Sequence, residues 1–207
     1  MVEKAINETS WAELNTVLYR FCDQNPRHDN DEIILAKLVL IGRTYAAALE
    51  RRKKKDPDES ADDFYINIAA PALRKSEIDD WIGELPEADE PSTELLPIVL
   101  EIHKNLVDLF KEISGQEKRS LASKYLHFHR PNHFFIYDSR TEAAARVWAP
   151  QIRRRGVEAA SSDEAYHLFF ERCLAIVEMV RNEIGVVLTP RTLDNLLLGS
   201  PAGSQIE

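Results

Sequence analysis

Apolar residues recur every three or four positions in three long segments, which is the spacing that places them on one face of an α-helix. Polar residues occupy most of the positions between them. The pattern therefore predicts three long amphipathic helices that supply the core. Their apolar positions are Ile34, Leu38, Ile41, Tyr45 and Ala48 in the first, Leu95, Val99, Ile102, Leu106, Leu109 and Ile113 in the second, and Phe169, Cys173, Ile176, Val180 and Ile184 in the third.

Short polar motifs indicate where helices begin and end. Residues 10–13 and 161–164 each fit a capping box, in which a serine hydroxyl and a glutamate carboxylate bind free amides of the first turn. Thr189 followed by Pro190 is typical of an N-cap and a first helical position, and Gly199 is typical of a helix stop. Because no long stretch alternates apolar and polar residues, the sequence predicts an all-α fold.

Two segments interrupt the helical pattern. The basic run 51–55 is typical of a helix end, where cations complement the C-terminal dipole, and the acidic run 56–60 follows as a loop. The second interruption, 85–92, is acidic and contains two prolines. We therefore expect an N-terminal helical region (1–85), an acidic linker (86–90), a second helical region (91–198) and a flexible tail (199–207), or one compact domain formed by these helical regions together.

Length and composition are those of an ordinary globular protein. The chain has 207 residues, of which 44% are apolar, and its two cysteines match no metal-ligand or redox spacing. The N-terminus lacks the pattern of a secretion signal, and no apolar run approaches the roughly 20 residues that span a bilayer. We expect a cytoplasmic protein without a membrane partner.

Charge is segregated along the chain although the net charge is −9. Between residues 118 and 155 there are nine basic and two acidic residues, whereas 56–101 holds 14 acidic residues against two basic ones. Phosphate binding needs a local basic surface and not a basic protein. The acidic total therefore argues against a nucleic-acid partner without excluding one, and two differently solvated faces explain the same pattern.

Segment 120–140 carries the most specific candidate chemistry. A helix over 121–128 would place Lys124 beside an apolar stripe, where partial desolvation lowers the pKa of the amine and favours the neutral form that attacks an electrophilic carbon such as a sugar C1′. The helix breaks at 130–132, and Asp138 precedes the next helix. Asp138 could stabilise developing positive charge on a sugar, or it could serve as an N-cap, which is the commoner role at this position.

The histidines of this segment give only a weak indication of a metal site. His127 and His129 differ by two positions, so a helix directs their side chains apart, and Pro131 separates both from His133. No glycine-rich phosphate loop and no serine or cysteine nucleophile motif is evident. We therefore expect no metal and no cofactor.

The arrangement of Lys124 in a helix, a break after Arg130 and Pro131, an apolar run and then Asp138 resembles the lysine–hairpin–aspartate region of the helix-hairpin-helix DNA glycosylase superfamily. Its oxidised-guanine branch is the most similar. The resemblance covers about residues 118–146. It implies an all-helical fold of the helix-hairpin-helix glycosylase type that binds duplex DNA, flips out a base and cleaves its glycosidic bond.

The same resemblance assigns roles to residues. Lys124 would be the amine that forms a Schiff base, and Asp138 the essential carboxylate. Residues expected to meet DNA are Lys118, Arg119, Ser120, Ser123 and Arg140. Residues available for a base pocket are Tyr125, His127, Phe128, His129, Phe134 and Tyr137, although aromatic residues are more often buried in a core.

Two functions therefore follow from the sequence. The first is a DNA glycosylase or lyase that acts on a damaged or modified base, in repair or in defence against phage. It predicts that Lys124 faces a solvent-reachable pocket with Asp138 close by. The alternative is a non-catalytic all-α interaction protein, which predicts a Lys124 amine that points into open solvent.

Overall fold

The fold is that of a computed structural model, which describes residues 2–3, 12–51, 60–152 and 162–200. Within those ranges every regular element is helical, so the all-α prediction is confirmed there. In chain order the helices are α1 (Ala12–Gln24), α2 (Asp31–Thr44), α3 (Ala61–Phe64), α4 (Ala70–Lys75), α5 (Ile78–Gly83), α6 (Leu96–Ser114), α7 (Arg119–His129), α8 (Ser139–Trp148), α9 (Glu164–Ile184) and α10 (Pro190–Leu198), and a π-helical segment (Tyr65–Ala69) joins α3 to α4.

The three long predicted helices correspond to α2, α6 and α9, but α2 is shorter than its apolar pattern. The last apolar position of α9, Ile184, is exposed at the end of the helix, so the prediction that it supplies the core is wrong. α2 ends before Tyr45, so Tyr45 and Ala48 lie in the turn that follows. Ala46 adopts a left-handed backbone in this turn, with a φ of 53°. A Cβ on Gly42 would lie 3.2 Å from the Ala48 Cα. The absence of a side chain at Gly42 therefore allows the chain to return closely against α2.

Two other predicted helix ends, the basic run 51–55 and the capping box at 10–13, are only partly described by the structure. Arg51, the first residue of the basic run 51–55, lies outside a helix, so the prediction that this run closes a helix is wrong at that residue. The remainder of the run, the first two residues of the capping box at 10–13 and the tail from residue 201 onward lie outside the described residues.

The ends of the last two helices follow from local side-chain chemistry. Thr189 caps α10 by accepting a hydrogen bond from the Thr192 amide at 3.2 Å, and Gly199 is its C-cap, as predicted. The N-cap of α9 is Asp163, two residues after the serine predicted to start its capping box, so the helix begins two residues later than predicted. The Asp163 carboxylate accepts from the Tyr166 amide at 2.9 Å, which satisfies one of the free donors of the first turn.

One cluster of buried apolar side chains includes residues from both sides of segment 86–90. α7 connects the two sides, because it packs against α1 and α2 and also against α6. α8 packs against α9 and α10. The division of the chain into separate regions stays a prediction. Among the described residues, no helix combines the length and the apolarity that a membrane crossing requires.

The acidic segment 86–90 is attached to the end of α7. The Arg130 guanidinium lies 2.9 Å from the Glu87 carboxylate, and the Asn132 side-chain amide donates to the Ala88 carbonyl at 2.8 Å. These contacts fix the residues that follow α7 and so help to determine where the chain enters α8.

Candidate active site

A helix, a break and a second helix bring the candidate residues together, as the sequence predicts. α7 ends at His129, and the His133 amide donates to the Arg130 carbonyl at 3.1 Å in the turn that follows. The chain then runs without helical structure to Asp138, which starts α8. The Ser123 hydroxyl accepts from the Tyr137 amide at 3.0 Å, which holds the end of this run against α7.

Lys124 lies inside the molecule with its amine beside Asp138. Only 2% of its side chain is exposed, and its Nζ is 3.6 Å from Asp138 Oδ2. Nζ also donates to the Ser120 hydroxyl at 2.7 Å and to the Tyr137 carbonyl at 3.3 Å. The Tyr45 ring centroid is 5.9 Å from Nζ. The amine therefore has three oxygen acceptors and an aromatic neighbour, and it does not point into open solvent.

The two carboxylate oxygens of Asp138 have different partners. Oδ1 accepts from the amides of Arg140 and Thr141, both at 3.0 Å, and so caps α8. Oδ2 faces Lys124. The side chain is 31% exposed, so the carboxylate lies between solvent and the buried amine. Capping and interaction with the lysine are thus not alternatives, because each oxygen serves one of them.

Burial lowers the pKa of the Lys124 amine, since the charged form loses its hydration. The carboxylates of Asp138 and Asp194 act in the opposite direction and raise this pKa, whereas the Arg191 guanidinium lowers it further. Desolvation is the largest of these influences. The neutral amine is therefore more populated than in a solvated lysine, which is the condition that nucleophilic attack requires.

Sequence reasoning missed the polar residues that α10 contributes beside this pair. Arg191 donates to Asp194 at 3.1 Å and to the Tyr19 hydroxyl at 3.0 Å. Asp194 is buried, and burial raises the pKa of its carboxyl to about 6, against the lowering effect of Arg191. A signal was present in the sequence, since α10 carries this ion pair three residues apart on a helix rich in buried leucines.

The Tyr19 hydroxyl also links α10 to α7. His127 Nδ1 donates to the Phe134 carbonyl at 2.8 Å, since a carbonyl can only accept. Nε2 is then the acceptor, and the Tyr19 hydroxyl donates to it at 2.5 Å. Burial lowers the pKa of His127 well below its usual value, in agreement with a neutral ring. This histidine therefore orients Tyr19, which in turn accepts from Arg191.

Tyr125 belongs to a second buried hydrogen-bonded chain on α7. The Asp79 carboxylate accepts from His28 Nδ1 at 2.6 Å, and the Tyr125 hydroxyl lies 2.8 Å from His28 Nε2. The His129 ring packs at a tilt against both rings, with centroid distances of 5.0 Å to His28 and 5.1 Å to Tyr125. Among the described residues no group of three or more histidine, cysteine or acidic side chains could hold a metal ion.

Most residues expected to form a base pocket pack in the core. Tyr125, His127, Phe128 and Phe134 are buried, whereas His129 and Tyr137 are partly exposed. A different cavity, of about 220 Å³, lies where Arg191 reaches the surface. It is lined by Tyr19, Pro131, Asn132, Thr189 and Arg191.

The residues expected to contact DNA differ in their exposure and in their hydrogen-bond and ion-pair partners. The Arg119 guanidinium is bound by both oxygens of Asp163, at 2.6 and 2.7 Å. The Lys118 amine donates to the carbonyls of Ala48 and Arg51. Ser123 is buried, Ser120 accepts from Lys124, and Arg140 is exposed at the start of α8. Arg119 also borders a groove of about 610 Å³ in which its partner Asp163 is one of several acidic side chains.

Comparisons with known proteins identify no relative of this chain. No family model, curated protein or solved structure matches the chain. Functional inference therefore depends on the geometry of the described residues.

Proposed function

We propose that this protein is a DNA glycosylase or lyase, with a helix-hairpin-helix glycosylase-like fold, that acts on a damaged or modified base. The observation that carries the proposal is the buried Lys124 amine held 3.6 Å from the Asp138 carboxylate. The sequence resemblance implies Lys124 as the nucleophile of such an enzyme and Asp138 as its essential carboxylate, and the two side chains lie side by side. The amine is buried and does not point into the open solvent that the non-catalytic alternative predicts. It also does not line either of the two cavities described above, so the solvent-reachable pocket that the enzyme predicts around Lys124 is not found there.

The pair can perform glycosidic bond cleavage with ordinary amine chemistry. The neutral Lys124 nitrogen attacks the sugar C1′, and the bond between C1′ and the base breaks as its electron pair leaves with the base. Asp138 stabilises the positive charge that develops on the sugar. The proton lost from the nitrogen balances the proton that the departing base takes up. The nitrogen lone pair then opens the sugar ring, the ring oxygen takes up a proton from water, and a protonated Schiff base results. Because Asp138 is the partly exposed member of the pair, substrate approaches from its side.

The cavity beside Arg191 supports the proposal because a flipped base needs a recess with apolar and polar walls. Tyr19 and Pro131 supply apolar surface, and Asn132, Thr189 and Arg191 supply polar groups. Arg191 belongs both to this cavity and to the set of charges that influence Lys124. Arg191 is the link between this cavity and the amine, since neither Lys124 nor Asp138 is among the lining residues. We propose this cavity, and not the buried aromatic residues of α7, as the site of the extruded base.

Borohydride trapping on a duplex with one abasic site tests the proposal. Hydride reduces the imine between Lys124 and C1′ to a stable amine, so the protein becomes covalently attached to DNA. We expect trapping by the natural protein and its loss in Lys124→Gln. Lys37→Gln is the matched control, because Lys37 is also a buried lysine whose pKa is lowered, to about 8. Circular dichroism verifies that both variants fold, and retained trapping in Lys124→Gln would contradict the proposal.

A non-catalytic interaction protein is the second candidate, and the pairing of the basic residues favours it. Several cations of segment 118–155 are paired within the molecule, so phosphate would have to compete with these partners. The pairs are Lys118 with backbone carbonyls, Arg119 with Asp163, Arg130 with Glu87 and Arg146 with Glu142. Affinity for duplex DNA measured across salt concentrations separates the two functions. The enzyme requires an affinity that falls steeply with salt, and the alternative predicts no such binding.

A further inference from the structure

We infer that Arg191 of α10 is a positioning residue for Lys124, because its guanidinium shares the Tyr45 ring with the amine and disfavours the charged form of the amine. This inference deepens the proposed function and rests on it for its meaning in catalysis. The Arg191 Cζ lies 5.8 Å from the Tyr45 centroid and the Lys124 Nζ 5.9 Å from the same centroid. Two cations that contact the same partly buried ring disfavour each other's charge.

Arg191 is held so that it cannot turn away from this position. It donates to the hydroxyls of Tyr19 and Tyr45 and to the Asp194 carboxylate, at 3.0, 3.4 and 3.1 Å. Its guanidinium also lies 5.6 Å from the Phe128 centroid. Only 14% of the side chain is exposed. Arginine stays charged at every physiological pH, so the member of this pair of cations that can lose its proton is Lys124.

The other charges around Lys124 come from two helices. Asp138 lies on α8, Asp194 and Arg191 lie on α10, and Ser120 on the same helix as Lys124 contributes only a hydroxyl. Arg191 binds Asp194 and offsets part of its charge, so Asp138 is the carboxylate with the larger influence on the amine. Without Arg191 the amine would face two carboxylates, and its charged form would be favoured.

The effect of the Arg191–Asp194 ion pair on the Lys124 amine depends on whether the buried Asp194 carboxyl is protonated. Its Oδ1 has no hydrogen-bond partner among the described residues, and its pKa is raised to about 6. When Asp194 takes up a proton, Arg191 is no longer offset and acts on Lys124 with its full charge. Protonation of Asp194 is therefore expected to lower the pKa of the amine, and replacement of Asp194 by asparagine imitates that state permanently.

The test measures the titration of Lys124 in the free protein, without DNA. The Cε chemical shift of Lys124, assigned by its absence in Lys124→Gln, is followed against pH in protein labelled with ¹³C-lysine. Asp194→Asn is compared with Asp194→Asn/Arg191→Met, because residue 194 is then neutral in both. We expect a titration midpoint about one pH unit lower in the single variant, which is about tenfold more neutral amine at a fixed pH.

Two controls make the comparison specific to charge. Asp194→Asn/Arg191→Lys retains a cation and is expected to keep the low midpoint. Arg181→Met removes an arginine of α9 that is paired with Glu90. This variant should leave the titration midpoint of Lys124 unchanged. Equal midpoints in Asp194→Asn and Asp194→Asn/Arg191→Met, with both proteins folded, would overturn the inference.

The result is separable from the proposed function. If the midpoint shifts as expected but borohydride trapping fails, Arg191 controls the amine and the glycosylase proposal is lost. If trapping succeeds and the midpoint does not move, the proposal stands and Arg191 has only a structural role.

Discussion

At the scale of single residues, Asp138 shows how one side chain serves both the fold and the site. Oδ1 caps α8, and Oδ2 faces the Lys124 amine. From sequence these roles compete, because an aspartate before a helix is explained by capping alone. The structure removes the competition, since a carboxylate has two oxygens and the backbone directs them to different partners.

Substitution of Asp138 separates the two roles. Asparagine caps helices about as well as aspartate but carries no charge. Alanine has neither the capping oxygen nor the charge. We expect Asp138→Asn and Asp138→Ala both to lose borohydride trapping. Asp138→Ala should be less stable than Asp138→Asn by about 1 kcal/mol, measured as the free energy of unfolding in urea. Trapping by Asp138→Asn at the natural rate would show that the charge of Asp138 is dispensable.

At the scale of elements, α10 determines the environment of a lysine on α7. The burial of Leu193, Leu196 and Leu197 fixes one face of α10 in the core. Arg191 and Asp194 lie on the same helix and are carried into contact with Tyr19 and the lysine environment. A change that loosens α10 should therefore affect Lys124 without contacting it.

The N-cap of α10 offers such a change. Thr189→Ala removes the hydroxyl that accepts from the Thr192 amide, and we expect it to lower the free energy of unfolding by about 1 kcal/mol. Hydrogen exchange should be faster for the first amides of α10. Thr189→Ser keeps an acceptor and is the matched control, with stability close to that of the natural protein. Equal exchange rates in the alanine and serine variants would show that the cap does not hold α10.

At the scale of the whole molecule, the protein buries several histidines in the neutral form. Burial lowers the pKa of His28 to about 4 and that of His103 to about 3, and the pKa values of His127 and His129 are also well below their usual range. The unfolded chain binds protons at these residues near pH 6.5, where the folded protein does not. Acid therefore favours the unfolded state.

Stability is accordingly expected to fall as pH decreases below about 6.5 and to continue falling toward about pH 4. Each such histidine contributes a slope of up to about 1.4 kcal/mol per pH unit in this window. Asp194 acts in the opposite direction between about pH 4 and 6, because its folded pKa is raised. Since four histidines oppose one carboxyl, the net change is a loss. Urea unfolding at about pH 7.5, 6 and 5 measures it, and a constant midpoint would contradict the expectation.

The spacing of apolar residues and the helix caps are the features of the sequence that predicted helices correctly. The apolar patterns of α6 and α9, the caps of α10 and the break after α7 all depend on residues within about four positions of each other, so they can be predicted without knowing the fold. The pattern of α2 failed at its end because the close return of the chain at Gly42 depends on a tertiary contact with Ala48.

The sequence by itself determined that the chain is helical and that Lys124 and Asp138 are candidates for chemistry, because propensity, periodicity and capping are local. Only the tertiary structure decided that these two residues meet, that the lysine is buried and that Arg191 and Asp194 act on it. It also decided that the aromatic residues of α7 fill the core. Burial and nearby charges set the pKa of a lysine, and both depend on how helices that are distant in sequence pack together.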